Sequence, residues 1–131
     1  MFYFRQTHYV FPSKHVLVCE DVLLNQIQLL TRLAWILPKD NSVEVLVVPG
    51  AIAAANLIAS QLKIDLIIAD HDMSNGNATD LLNWMNKENH SIPMITASGI
   101  PENNENMMKL GANHKFSKQE VIDGHADRII K

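Results

Sequence analysis

The sequence predicts an α/β fold, a parallel sheet with helices on both faces. Five short apolar segments recur along the chain, and stretches with helical periodicity separate them. The length, 131 residues, suffices for one such core and not for two. With 47% hydrophobic and 19% charged residues, and no repeat or low-complexity tract, the composition is that of a folded domain rather than a disordered segment.

The elements come in order along the chain. His15–Cys19 is the first strand. Behind it Leu23, Ile27, Leu30, Ala34 and Leu37 fall on one helical face, the apolar stripe expected to meet the core, and Pro38 ends that helix. Val43–Val48 is the second strand, and Gly50 to Leu62 a helix with Ala and Leu on its buried stripe. Asp65–Ala69 is the third strand, followed by a helix over Thr79–Lys87 with Leu81, Leu82 and Met85 at core spacing. Ile92–Ile95 is the fourth, with a short helix from Pro101 that stops at Gly111, a residue suited to the left-handed position after a helix end. His114–Ser117 is the fifth, and Gln119–Ile130 a last helix carrying Val121, Ile122, Ile129 and Ile130. Parallel strands need long crossovers, and those are right-handed. A (βα)5 three-layer sandwich of flavodoxin-like strand order 2-1-3-4-5 is adopted by analogy.

Residues 1–14, MFYFRQTHYVFPSK, form an N-terminal extension, and 15–131 the domain. The extension is aromatic but interrupted by Arg5, Gln6, Thr7 and His8, so it lacks the apolar core of a signal peptide and reads as a segment that packs on the domain or on a partner. No run approaches the roughly 18 apolar residues of a membrane helix. A net charge of −3 with scattered Lys and Arg disfavours direct nucleic-acid binding. The single Cys19 allows no intramolecular disulfide and the six His have no paired ligand spacing, so a reducing, cytoplasmic setting is expected.

Sheets of this kind bind ligands beyond the carboxyl ends of their strands. There the sequence puts Glu20 and Asp21 after the first strand, Asp70 and Asp72 after the third, Thr96 after the fourth and Lys118 after the fifth. With strands one and three adjacent, Glu20, Asp21 and Asp70 converge, and three close carboxylates repel unless one is protonated or a cation neutralises them. Mg²⁺, which takes one or two carboxylates and completes its shell with water and phosphate oxygens, resolves that conflict. Lys118 in the first turn of a helix opposes the macrodipole, which suggests an anion for it to meet. Singly, each residue has an ordinary reading: Asp21, Asp70 and Asp72 as caps or turn formers, Thr96 and Ser98 as loop residues.

With these residues in place the sequence resembles the receiver domain of two-component response regulators. VLVCEDVLLNQ (16–26) resembles the family's first strand with its acidic pair, in the form found in receivers attached to hybrid histidine kinases. DLIIADHDMSNGNATDLL resembles the phosphoacceptor segment with Met73 at its Met, IPMITAS the fourth strand with its hydroxyl at Thr96, and KLGANHKFSKQ the fifth strand with its lysine at Lys118. The resemblance covers about residues 15–130. It implies a phosphorelay receiver that catalyses its own Mg²⁺-dependent phosphorylation and dephosphorylation without being a turnover enzyme. Asp70 would be the phosphoacceptor and nucleophile. The side chains of Asp21 and Asp70 and the backbone carbonyl of Asp72 would hold Mg²⁺, with Glu20 acting through a water. Lys118 and Thr96 would meet the phosphoryl oxygens, small Ala97 would leave the pocket open, and Asp72 and Ser98 would tune dephosphorylation. The implied partners are a sensor histidine kinase or phosphotransfer protein and a downstream protein target, with no nucleic acid or membrane. Homodimerisation through the fourth helix, fifth strand and fifth helix is a family habit that Met107 and Met108 could serve, and they read equally as core residues.

Four positions depart from the family pattern: Ser74 where Pro is usual, Ala78 where Gly is, Gln119 in place of the Pro after the lysine, and Lys115 at the switch position usually held by an aromatic. A lysine cannot bury there without pairing or shedding its charge, so the distal face is expected to respond weakly or differently. Two rival functions share parts of the pattern: a receiver-like module that docks without phosphorylation, and a haloacid-dehalogenase-like phosphatase, whose Asp-x-Asp motif DHD satisfies but whose second acidic pair lies downstream of its lysine. A flavin binder of the same topology needs a phosphate loop of Gly, Ser or Thr after the first strand, which CEDVLLNQ lacks.

Overall fold

The structure, a computed structural model, describes residues 13–130 except 41, 72 and 99. All of the N-terminal extension but its last two residues thus lies outside the described residues. The elements run β1 (Lys14–Cys19), α1 (Leu23–Ile36), β2 (Val43–Val48), α2 (Ala51–Ala59), β3 (Leu66–Ala69), α3 (Ala78–Lys87), β4 (Met94–Ala97), α4 (Pro101–Lys109), β5 (His114–Phe116), α5 (Lys118–Ile122) and α6 (Asp127–Ile130). The five strands form one parallel sheet of order β2-β1-β3-β4-β5, the flavodoxin-like α/β arrangement.

Side-chain alternation along the strands divides the core into two layers. Leu17, Cys19, Ile67, Ala69 and Met94 pack with Ala54 and Ile58 of α2, Leu81, Leu82 and Met85 of α3 and Met107 of α4. Val16, Val18, Ile68, Ile95 and Ala97 pack on the other face with Leu29 and Leu33 of α1, Val121 of α5 and Ile130 of α6. The central strands β3 and β4 are buried throughout, which is why they read as unbroken apolar runs rather than alternating ones.

Several expectations are corrected. The fourth strand starts at Met94, two residues later than Ile92, because Pro93 has no N–H to give the ladder and offers only its carbonyl, which accepts from the Ile67 N–H at 2.9 Å. The strand also runs on past Ile95 to Ala97, so Thr96 lies inside β4 rather than beyond it. Ser117 leaves β5 to cap α5, accepting from the Glu120 N–H while Glu120 accepts from the Ser117 N–H. The last helix is two short ones, because Gly124 takes a left-handed φ of 94° and the His125 N–H turns back to the Glu120 carbonyl at 2.9 Å.

The largest correction concerns α1. Its buried residues are Leu29 and Leu33, whereas Leu23 and Ile27 of the predicted stripe are 68% and 52% exposed and Leu30 and Ala34 also face outward. This helix carries apolar residues on nearly every side, so periodicity alone allowed two buried faces. Leu29 and Leu33 pack on the sheet, and polar contacts on the flanks accompany that rotation. Arg32 pairs with Asp127 of α6 on one flank, with Nε 3.1 Å from Oδ1, and Gln26 Nε2 donates to the Glu20 carbonyl at 2.6 Å. Of the two readings open for Met107 and Met108, the core one holds for Met107, which is fully buried, while Met108 packs partly buried against the same core.

Candidate functional site

Register builds the site. Cys19 pairs with Ala69, and Ala69 with Thr96, so the residues just beyond β1 and β3 emerge side by side. The chain holds them there: the Glu20 N–H donates to the Val48 carbonyl and the Asp70 N–H to the Cys19 carbonyl, both at 3.0 Å. One carboxylate oxygen each from Glu20, Asp21 and Asp70 lies within 4.8 Å of the other two. Glu20 and Asp70 are buried, at 5% and 3% exposure, which makes mutual repulsion more costly than at the surface.

Lys118, the first residue of α5, answers that charge. Its Nζ is 2.9 Å from Asp70 Oδ2 and 4.0 Å from Glu20 Oε2. The capping box of Ser117 and Glu120 fixes the helix start that presents it. Every described peptide bond is trans, Lys118–Gln119 included. One ammonium facing three carboxylates still leaves an excess of negative charge. Burial, reinforced by the Asp70 charge, raises the Glu20 carboxyl above its ordinary value, against the opposing effects of the Val22 N–H, at 3.0 Å from Oε1, and of Lys118. Burial also pushes the Cys19 thiol up to about 12, so it stays neutral beside the cluster.

The donor set fits a hard divalent cation. All three groups offer carboxylate oxygen. Asp21 divides its two oxygens: Oδ2 accepts the Ser74 N–H at 2.8 Å, while Oδ1 is buried and receives no hydrogen bond from a described residue. An anionic oxygen left in that state is costly, and a cation would satisfy it. Asp72, expected to lend its carbonyl, lies outside the described residues.

The loop after β3 is anchored away from the site. Asn75 accepts from α2, its carbonyl from the Ile52 N–H and its Oδ1 from the Ala53 N–H, both at 3.0 Å. Gly50 makes this approach possible, since a Cβ there would sit 2.4 Å from the Asn75 carbonyl oxygen. His71 Nε2 meets Thr79 Oγ1 at 3.1 Å, and Asn77 and Asp80 form a capping box at the start of α3. Ser74 and Ala78 thus serve a defined loop, Ser74 by giving its N–H to Asp21 and Ala78 as a fully buried residue.

On the other side, Thr96 is fully buried and its hydroxyl makes, among the described residues, only a long 3.4 Å contact with the His114 carbonyl. Ser98 is buried too, with its Oγ accepting the Ile100 N–H at 3.1 Å. Lys115 points outward, half exposed, and pairs with Glu105 of α4. The sequence reading missed Asn104. This buried residue of α4 accepts the Ser98 N–H at 3.2 Å and donates to the carbonyls of Ser98 at 3.3 Å and Phe116 at 2.9 Å. It thereby ties the β4–α4 turn to the end of β5. The available signal was an Asn three residues before Met107, on the inward face of an otherwise polar helix.

A pocket of about 20 Å³ lies beneath the carboxylates, lined by Glu20, Asn25, Asp70, Ala97 and Lys118 among others. Ala97 forms part of its wall, together with Leu29, Ile68 and Ile122.

No family model and no curated protein sequence matches the chain. Solved structures do. A phosphorylated cyanobacterial phytochrome response regulator, RcpA, superposes with a TM-score of 0.72 at 18% identity, over 90% of this chain and 89% of its own. The Mn²⁺-bound form of the response regulator Rcp1 gives 0.71 at 14% identity, over 86% and 92%. The signal receiver domain of a signal transduction histidine kinase from Syntrophus aciditrophicus gives 0.68 at 21%, over 90% of each chain. The strand order, the two-layered core and these likenesses agree: the chain has the fold of signal receiver domains.

Proposed function

We propose that the chain is a phosphorelay receiver in which Asp70 accepts a phosphoryl group. The observation that carries this reading is the meeting of Glu20, Asp21 and Asp70 at the carboxyl edge with Lys118 Nζ 2.9 Å from Asp70. An Asp70 carboxylate oxygen attacks the phosphorus of a phosphohistidine or small acyl phosphate. The new O–P bond forms as the bond to the donor breaks, and the leaving imidazole or carboxylate departs with the electron pair of that bond. Catalysis consists of positioning and charge neutralisation. Lys118 balances charge on the phosphoryl oxygens, and the backbone bond from Asp70 to Cys19 holds the nucleophile in place. Glu20, Asp21 and Asp70, with the carbonyl of Asp72, are the groups to hold Mg²⁺, which when bound supplies further neutralisation of the transferring group. That solved structures of the same fold include a phosphorylated and a Mn²⁺-bound response regulator supports the reading.

The weak contact of Thr96 leaves its hydroxyl able to turn toward a phosphoryl oxygen, biasing a two-state equilibrium in the β4–α4 turn. Lys115, engaged at the surface with Glu105, replaces the inward-swinging aromatic by an ion pair, so the distal face responds differently from that of an aromatic-switch receiver. Ser98 and Asp72 set the phosphoryl lifetime. A histidine kinase or phosphotransfer protein is the donor, and a protein target reads the switch.

The test is intact mass after incubation with acetyl phosphate and Mg²⁺, for wild type and Asp70→Asn. A magnesium-dependent gain of one phosphoryl group, absent in the variant, is expected. An equal gain in Asp70→Asn, or none in wild type with either acetyl phosphate or a phosphohistidine donor, would overturn the reading in favour of a docking module.

A further inference from the structure

Three hydrogen bonds join the loop after β3 to the start of α2. The first N–H groups of a helix have no partner within it, and the N-cap residue of α2, Gly50, has no side chain to supply one. The loop supplies all three acceptors instead. The Ala51 N–H donates to the Gly76 carbonyl, the Ile52 N–H to the Asn75 carbonyl and the Ala53 N–H to Asn75 Oδ1, each at 3.0 Å. Glycine at 50 is what lets the two segments come this close, since a Cβ there would meet the carbonyl oxygen of Asn75 at 2.4 Å and its carbonyl carbon at 2.6 Å. Those are backbone atoms, with no rotamer that could move them aside.

The residue next to this clasp touches the acidic cluster. The Ser74 N–H donates to Asp21 Oδ2 at 2.8 Å, a bond that a proline at 74 would have no N–H to make. The other oxygen, Oδ1, is buried and receives no hydrogen bond from a described residue, so it is the one left for a cation. A carboxylate held by one oxygen cannot swing the other away without losing the bond. The seat of the loop on α2 therefore fixes the orientation of Asp21. Hydrogen bonds that orient a ligating group carry about 10–100-fold in metal affinity.

We propose that Asn75 is a positioning residue for the cation: clasped to the first turn of α2, it holds the Ser74 N–H on Asp21 Oδ2 and so presents Oδ1 to Mg²⁺. Asn75 acts through Ser74 and is not itself a ligand, because its side-chain oxygen is engaged with the Ala53 N–H. The inference rests on the reading of Glu20, Asp21 and Asp70 as the cation site, and it makes the contact between Gly50 and Asn75 a determinant of how tightly that site holds its ion.

The test is a Mg²⁺ titration of the full chain, metal-free at the start and followed by amide spectra, together with hydrogen exchange of the Ser74 amide without metal. Wild type should show saturable shifts at Glu20, Asp21 and Asp70 and a protected Ser74 amide. Asn75→Ala removes the acceptor of the Ala53 N–H, and Gly50→Ala pushes on the Asn75 backbone. Each should raise the Mg²⁺ Kd about tenfold and quicken Ser74 exchange several-fold, with the sheet amides unmoved. If Gly50→Ala does not fold, Asn75→Ala decides alone. Ile58→Val loosens α2 against the core without touching its first turn, and should leave both readouts at the wild-type value. An unchanged Kd in Asn75→Ala overturns the proposal, as does a raised Kd with Ser74 exchange unaltered, or an equal rise in Ile58→Val. Wild type without saturable shifts removes the cation site and this inference with it, whereas a wild type that gains a phosphoryl group while Asn75→Ala keeps its Kd loses this inference alone.

Discussion

Replacing Asn104 by Ala tests how the β4–α4 turn is held. The change removes the acceptor of the Ser98 N–H and the donors to the Ser98 and Phe116 carbonyls, at 3.2, 3.3 and 2.9 Å. Each such bond contributes about 1 kcal/mol net, and a backbone N–H left buried without a partner adds at least about 1 kcal/mol. Ser98 is 1% exposed and Asn104 5%, so bulk water does not reach the gap. The expected loss is about 3 to 4 kcal/mol. For a domain of this size, with about 2.1 cal/mol/K of unfolding entropy per residue, that lowers Tm by roughly 12 °C. Urea unfolding should show a lower midpoint at an unchanged slope, because the surface exposed on unfolding stays the same. Amide exchange at Ser98 and Ile100 should quicken before that of β1 and β3, since the lost bonds tie down the turn and not the central sheet. Asn104→Leu, which refills the volume without the bonds, should recover only a small part. A loss below about 1 kcal/mol for Ala, or full recovery with Leu, would refute the assignment of Asn104 as a hydrogen-bonded tie and make it a packing residue.

Mg²⁺ at ten times its Kd should stabilise the protein by about 1.4 kcal/mol, near 5 °C in Tm, and the effect should vanish in Asp21→Asn; an equal shift in the variant would place the ion elsewhere. Glu120 is held below its ordinary 4.5 chiefly by the Ser117 N–H. A carboxyl lowered in the folded state contributes stability above the unfolded value and loses it as pH falls through the folded one. The Ser117 amide shift should therefore titrate with a midpoint under 4.5 and be flat in Glu120→Gln, and a midpoint at or above that value would contradict the capping box. The Lys115–Glu105 pair is half exposed, so a double-mutant cycle should return under about 1 kcal/mol and shrink in high salt. A coupling above about 2 kcal/mol would mean that this pair latches α4 to β5.

Trp35, 78% exposed, and Leu33, 1% exposed, stand two residues apart on a helix whose sequence is apolar almost all round, and they mark where local pattern stops being informative. By itself the sequence determined the βα alternation and the candidate residues at the strand ends, because those rest on short-range signals: unbroken apolar runs for strands buried on both faces, a Pro or Gly where an element ends, and acidic or basic residues placed just beyond strand ends; the strand order came by analogy. Glu20, Asp21, Asp70 and Lys118 were legible for that reason, since a parallel sheet necessarily gathers at one edge the residues that leave the carboxyl end of each strand. The rotation of α1, the break at Gly124 and the buried tie of Asn104 were decided only by tertiary structure. Each depends on a particular partner that local pattern does not name: Asp127 for Arg32, Glu120 for the His125 N–H that closes the turn, Ser98 and Phe116 for Asn104. A periodic pattern gives the spacing of a face and not its direction. Which face turns inward is fixed only in the assembled fold, where Leu29 and Leu33 meet the sheet and Arg32 and Gln26 on the flanks find partners within hydrogen-bond distance.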